Sequence, residues 1–396
     1  MRDLDPMVLA RRQLALDRAR TRRFPRTFDH KIERMRASPL AFLRGSAPLF
    51  YEILLAEPDL GHGPDGEGWI IGDAHLENFG AFVPAPAGRK LPLGEVFDLN
   101  DFDDCMMAPL RYDLLRLGTS FLLGARELGA TGGQALEMVE ELLASWRLHV
   151  RKAQPLPPEP RPVRALLRQL SLRARTDLLN ARTDIVRGVR RFVRGPRYGA
   201  LSKKVLAALP AAFKAYAASL PEDERPAPEQ LEILDAAHRI AGTGSLGVLR
   251  VAVLVAGKGG PNGSWVFDLK EQGTPSGAKV GSVPVGTPAE RVAAGLRACL
   301  TRPPRRIGTT RLVGVSMFGR RLAPQEDRLD LTRIEGVDLP ALARYLGALL
   351  GRAHRRGATR LPRAVGPDRC VPLIERTIRL AGIHEATYLA YCRLTS

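Results

Sequence analysis

The chain has 396 residues, an apolar fraction of 45%, a charged fraction of 26% and a formal net charge of +18. That length exceeds one simple core and suits two lobes or domains, and the composition is that of an ordinary globular protein. No apolar run approaches the roughly 20 residues needed to cross a bilayer, and the 4 cysteines lie far apart without a CxxC pair, which argues against a zinc site or a disulfide framework and fits a reducing, cytoplasmic setting.

In chain order, "MRDLDPMVLARRQLALDRARTRRF" predicts a charged helix with no signal-peptide apolar region. A helix is expected over "SPLAFLRGSAPLFYEILLAE". Two short apolar runs then open into acid: "IIGDAHLENFGAF" from residue 70 and "GEVFDLNDFDDC" from residue 94. Helices are expected from Tyr112 to about Val150. Two proline-rich stretches, 154–162 and 221–229, bracket a region that reads as helical. Its arginines, dense from 161 to 195, have two readings. One is a phosphate-binding surface for nucleic acid. The other is the wet face of amphipathic helices, favoured because leucines and valines recur at helical spacing without any aromatic-rich RNA motif.

After the second proline stretch the pattern turns to β. "GSLGVLRVAVLVAG" and "GSWVFDLKE" predict strands joined by a Gly/Asn turn. The helix "TPAERVAAGLRACL" follows, then strand-like "TTRLVGVSMFG" and "RLAPQEDRLDL", and closing helices at 338–356 and about 371–393. The fold class expected is therefore α+β in four parts. An N-terminal helical arm (1–29) precedes a helical lobe carrying the acidic loops (30–225). A small β-rich lobe (226–335) and C-terminal helices that return to the helical lobe (336–396) complete it.

The acidic loops carry the chemistry. A base that takes a proton from an attacking hydroxyl must be a fixed carboxylate. Magnesium on nucleotide phosphates is held by amide or carboxylate oxygens from neighbouring loops. Asp73 and Asn78 stand five residues apart, the spacing of a kinase catalytic loop with its aspartate base and asparagine metal ligand, and "DFD" at 101–103 stands where kinases have Asp-Phe-Gly. No EF-hand register fits 98–104, and the strand–helix repetition of a haloacid-dehalogenase-like phosphatase is missing.

At these residues "GDAHLEN" resembles the "HGDLHPGN" loop of aminoglycoside phosphotransferases, with Ile71 where that family has its first histidine. The resemblance implies that Asp101 is the metal-binding aspartate and that Asp113, in "YDLLRL", anchors the loops without reacting. The ensemble "RMRASPLAFLRG", "GDAHLENFG", "FDLNDFDD" and "GTGSLGVLR" resembles the bacterial domain of unknown function 2252 family over about residues 30–355. That family is grouped with protein-kinase-like folds, so the resemblance implies a fold more than a reaction.

Gly242, Gly244 and Gly247 form a GxGxxG followed by strand-like residues, not by the helix a dinucleotide fingerprint requires. Strand, glycine loop, strand is the kinase arrangement over nucleotide phosphates, and Lys270 falls where kinases keep the lysine that holds the α- and β-phosphates. Glu290 is the only acid of the next helix, in an uncertain register for pairing with Lys270. The catalytic loop here precedes the glycine loop, the reverse of the usual order, and a circularly permuted two-lobe kinase fold accounts for that.

The expectation is an ATP- and magnesium-dependent phosphotransferase acting on an unidentified hydroxyl-bearing substrate. Asp73 is its base, Asn78, Asp101 and Asp103 its metal ligands with Asp98 a further helper, and Gly242, Gly244, Ser245, Gly247 and Lys270 its nucleotide contacts. His75 reads either as a substrate contact or as a stabiliser of the loop, and Arg44 either as a phosphate contact or, the favoured reading, as a structural arginine near a helix end. A nucleotide-binding pseudokinase and an arginine-rich nucleic-acid-binding protein are the rival readings.

Overall fold

In the computed structural model, which describes residues 4–85, 94–244, 246–363, 366 and 370–396, the first helix is α1 (Pro6–Thr21), capped by Asp5. Helices α2 (Thr27–Arg36), α3 (Pro39–Gly45) and α4 (Ala47–Ala56) follow. The one helix expected over 38–57 is thus two. Ser46 leaves helical geometry, its hydroxyl donates back to the Phe42 carbonyl at 2.7 Å, and Pro48, which has no N–H, sits in the first turn of the next helix.

Strands β1 (Glu67–Ile70), β2 (Phe79–Phe82), β3 (Val96–Leu99) and β4 (Met106–Pro109) frame the acidic loops. Helices α5 (Arg111–Gly124) and α6 (Gly132–Arg151) come next, the second begun by a Thr131/Gln134 capping box. The arginine-rich stretch starts with α7 (Arg161–Ser171), whose Arg161, Arg164 and Arg168 are exposed as a wet helical face, and α8 (Arg175–Asn180).

The stretch then departs from the helical expectation. Strands β5 (Thr183–Val186) and β6 (Val189–Phe192) form a hairpin, with Val186 paired to Val189. Its two-residue turn, Arg187-Gly188, has positive φ at both positions (51° and 80°), the geometry that matches strand twist. Strand β7 (Tyr198–Gly199) and helix α9 (Lys203–Ala218) complete the region.

Next come β8 (Ile233–Arg239), β9 (Arg250–Val255), the one-turn α10 (Gly260–Gly263), β10 (Trp265–Glu271), α11 (Pro288–Cys299), β11 (Gly308–Leu312) and β12 (Val315–Leu322). Of "RLAPQEDRLDL", the first two residues belong to β12 and only Asp327–Arg328 forms a further strand, β13. The chain ends with α12 (Leu339–Gly357), β14 (Ala358–Arg360) and α13 (Val371–Leu394).

The architecture is mixed α+β. A six-stranded antiparallel sheet runs β11-β12-β10-β9-β8-β7, and two three-stranded sheets, β14-β1-β4 and β13-β2-β3, carry the acidic loops. Period-two alternation sorts the large sheet's faces. Val251, Val253, Phe267 and Leu269 pack with Leu209, Phe213 and Tyr216 of α9. Ala252, Leu254 and Val266 turn the other way, toward Leu179 and Phe192. The same alternation puts Asp268 and Lys270 of β10 on the face away from α9. Elsewhere, Gly347 and Gly351 bring α12 into backbone contact with Leu142 and Trp146 of α6, and this close approach seats His354 in the interior. Among the described residues no helix is long and apolar enough to cross a membrane.

Candidate functional site

The turn after β1 depends on Gly72. Its φ is +80°, and a Cβ there would run into the Asp104 carbonyl oxygen, so glycine is what lets the two acidic loops meet. Asp113, fully buried on α5, anchors this turn. Its Oδ2 accepts from the Ile71 N–H at 2.7 Å and its Oδ1 from the Gly72 N–H at 3.0 Å. His354 reaches the same carboxylate at 2.9 Å through Nε2, while its Nδ1 accepts from the Trp146 indole N–H at 2.9 Å. With Nδ1 accepting, the ring proton sits on Nε2 and points at Asp113.

One helical turn on, Arg116 is fully buried, lies 5.1 Å over the Phe50 ring and donates to the Leu43 carbonyl at 2.9 Å. Its Nε donates to Asp73 Oδ1 at 2.7 Å. Oδ2 of Asp73 is left facing the cavity, 4.0 Å from His75 Nε2. Burial pushes the Asp73 carboxyl up to about 7, against the pull of Arg116, with Asp104 and Asp101 adding to the rise. His75 is buried. Its Nδ1 accepts from the Glu77 N–H at 3.2 Å, and burial, helped by Arg44, Arg116 and Arg328, holds its pKa well below the ordinary value, so it is neutral. Arg44 pairs with Glu77 and lines the cavity.

Asn78 folds back on its own loop, its amide donating to the Asp73 carbonyl at 2.6 Å. Its backbone carbonyl accepts from the Asn100 N–H at 2.9 Å, continuing the β2–β3 ladder beyond Phe79↔Leu99 and setting Asn78 beside the second acidic loop. In that loop Asp101 Oδ1 accepts from the Asp103 N–H at 3.3 Å. Burial alone would raise the Asp101 carboxyl, but Lys270, Arg328, Arg250 and Arg320 together hold it below the ordinary range. Asp98 lies off the cavity: it pairs with Arg352 at 2.6 Å, so the helper role expected of it does not fit its position.

Asp103 is engaged by Lys270 and accepts from the Gln272 amide at 2.8 Å. Lys270 stands opposite Arg250 across β10–β9, and like charges so placed repel. Asp103 balances the first and Asp268, held well below the usual carboxylate range despite its burial by Arg239 and Arg250, balances the second. Glu290 does not reach Lys270. It forms a capping box with Thr287 at the exposed start of α11, accepting from the Thr287 N–H at 2.8 Å. The neighbouring Arg291 turns inward instead, donating to the Cys105 carbonyl, to Asp103 at 2.8 Å and to Gly273 at 3.0 Å, which ties α11 to the acidic loop.

Asp73, Asn78, Asp101, Asp103, Gly242, Gly244 and Lys270 all line one cavity of about 520 Å³. Phe82, Leu296, Pro304, Phe318 and Leu322 add apolar surface to its lining. Ser245 lies outside the described residues. Gly247 does not line the cavity. Its φ is +96°, and a Cβ there would run into the Arg20 carbonyl oxygen at the end of α1. The same corner is closed by Arg23, which pairs with Glu271 at 2.7 Å, and by Phe24 stacked on His238 at 4.5 Å. Gly247→Ala is therefore expected to destabilise the fold by roughly 1–3 kcal/mol through left-handed strain and lost contact, read as a lower denaturant midpoint at unchanged slope.

Three parts of this arrangement escaped the sequence reading: Arg116, Arg291 and the Trp146–His354–Asp113 chain. Arg116 alone had a local signal, since it follows Asp113 by three residues and so shares its helix face. Among the described residues no three His, Cys, Asp or Glu side chains are grouped to hold a metal ion.

Over residues 23–366 the chain matches the model of a family described as an uncharacterized protein conserved in bacteria (DUF2252), and it belongs to that family. No curated protein and no solved structure matches it.

Proposed function

We propose that this member of the DUF2252 family is an ATP- and magnesium-dependent phosphotransferase with a circularly permuted, protein-kinase-like two-lobe fold. The observation that carries the reading is the meeting of Lys270 with Asp103 across 167 residues of sequence, in the cavity that also holds Asp73, Asn78 and Gly242–Gly244. Strand β8, the glycine loop, strand β9, Lys270 on β10 and then helix α11 follow one another as in a kinase nucleotide lobe. The proposed lobe of residues 226–335 is extended by β7 and α9, which precede it in sequence.

Magnesium is held in such sites by one or two protein oxygens, with waters and substrate phosphates completing the shell. Asn78 and Asp101 fit that donor set: the Asn78 amide is spent on the loop, which leaves Oδ1 to accept, and Asp101 stays ionised. Asp103 joins them only by leaving Lys270. Bound there, the ion would neutralise charge on the nucleotide phosphates.

The chain's own residues then do the following. Arg116 fixes Asp73 through Oδ1, so Oδ2 takes the acceptor's hydroxyl proton. The acceptor oxygen forms its bond to the γ-phosphorus as the bond to the bridging oxygen breaks and ADP leaves with the electron pair. Lys270 and the glycine-loop backbone hold the phosphates before and during transfer.

Magnesium-ATP at about a hundred times its dissociation constant is expected to stabilise the fold by roughly 2.7 kcal/mol. Asp101→Asn is expected to remove most of the magnesium-dependent part. Melting curves with and without magnesium test both statements, and an unchanged wild-type curve at saturating magnesium-ATP sinks the reading.

A further inference from the structure

Eight cations line the cavity among the described residues. Six are engaged: Arg239 and Arg250 by Asp268, Lys270 by Asp103, Arg44 by Glu77, Arg320 by Glu326 at 3.1 Å, and Arg182 with the Tyr198 hydroxyl at 3.4 Å. Among the described residues, the guanidinium groups of Arg20 and Arg328 make no ion pair or hydrogen bond with a carboxylate, carbonyl or hydroxyl.

Their places differ. Arg20 lies in the last turn of α1, where its carbonyl meets Gly247 of the glycine loop, which sets it with the nucleotide contacts, although both arginines act on Lys270. Arg328 stands over the acidic loops, where Asp101 is the carboxylate that acts on it most. The β13–β2 pairing holds it opposite Gly80, two residues past Asn78 on the strand that leaves the Asp73–Asn78 loop. Arg44 is tied to Glu77 within that loop, and both arginines act on His75, whose Nε2 is 4.0 Å from Asp73. Arg328 lines the cavity and keeps solvent access, so its donors are open to an incoming ligand. An arginine that takes no acid of its own, in a cavity rich in acids, keeps a planar fork of donors suited to an oxyanion.

Resting on the phosphotransferase reading, we infer that the acceptor is a hydroxyl-bearing small molecule that already carries a phosphate group, gripped bidentately by Arg328 with Arg44 beside it. The grip sets the free hydroxyl against Asp73 Oδ2. An aminoglycoside carries no phosphate for this grip, so it is not the acceptor inferred here, although the catalytic loop resembles that of aminoglycoside phosphotransferases.

The test uses the full chain. The response to magnesium and a non-hydrolysable ATP analogue is read first, so that failure of the nucleotide reading registers separately. The protein saturated with that analogue is then titrated with inorganic phosphate and with glycerol 3-phosphate at constant ionic strength, with glycerol and a polycationic aminoglycoside as controls. Both phosphates are expected to bind and both controls to fail. Arg328→Gln is expected to weaken phosphate binding about tenfold or more, the scale of one charge-assisted bidentate contact, and Arg328→Lys to recover part of it. Arg328→Gln without effect on phosphate binding, phosphates that do not bind, or glycerol binding as tightly as its phosphate each overturn the inference. Phosphate binding through Arg328 in a protein that ignores the nucleotide analogue upholds the anion site and removes the phosphotransferase reading.

Discussion

Replacing Asp73 by Asn is expected to lower turnover about 10²- to 10⁴-fold, the contribution of one positioned proton acceptor. The substitution keeps the shape of the side chain, and its amide oxygen still accepts from the Arg116 Nε, so the buried guanidinium keeps a partner. Nucleotide affinity is expected to hold, because Asn78 and Asp101 are the proposed metal ligands. Lys270→Ala is expected to behave differently, weakening ATP affinity and turnover together, since it removes the proposed phosphate contact, made before and during transfer.

The wild type adds a signature in pH. With the Asp73 carboxyl pushed up to about 7, the proposed base is ionised mainly above that pH, so kcat/KM is expected to rise through about 7 from the acid side. The variant lacks that limb. Stability runs in the opposite sense. Asp73 binds its proton more tightly folded than unfolded, so its contribution is full below about 4 and is lost as pH rises through about 7. Equal turnover of Asp73→Asn and wild type, or a wild-type profile flat across neutrality, removes Asp73 as the base.

The largest effect on stability is expected at Asp113. Its carboxylate is fully buried and serves three donors, the Ile71 and Gly72 N–H groups and His354 Nε2. Asp113→Ala leaves all three without an acceptor in the interior. At roughly 1–3 kcal/mol for each unsatisfied group, partly relieved by relaxation, the loss is about 3–5 kcal/mol. Urea unfolding measures it. Trp146→Phe, which removes only the outer donor of the chain, is expected to cost about 1–2 kcal/mol. If both substitutions cost the same small amount, the buried chain does not hold the turn.

Much of this site was legible because its pieces are local. A β-branched run followed by Gly-Asp, an aspartate and asparagine five apart, and an apolar strand carrying one lysine are patterns within ten residues, and each formed the element expected of it. The misreadings share one cause. The β5–β6 hairpin has its apolar residues, Ile185, Val186, Val189 and Phe192, at a spacing compatible with a helix, and the decision fell to a two-residue turn, Arg187-Gly188, and to side chains beyond the segment. Asp98 sits in the same acidic run as Asp101, yet strand alternation turns it away from the cavity and toward Arg352.

By itself the sequence determined most of the strands and helices around the site and which carboxylates stand in the acidic loops. Backbone sterics and nearest-neighbour hydrogen bonding act over a few residues and are written in the order of side chains. Only the tertiary structure decided which charge meets which. Lys270 faces Asp103 and not Glu290, Gly247 packs on α1 and not on the cavity, Arg291 reaches the carbonyls of the acidic loop, and Arg328 forms no ion pair among the described residues. Those pairings depend on side-chain distances of a few ångströms between residues far apart in the chain, which packing sets and spacing along the chain does not record.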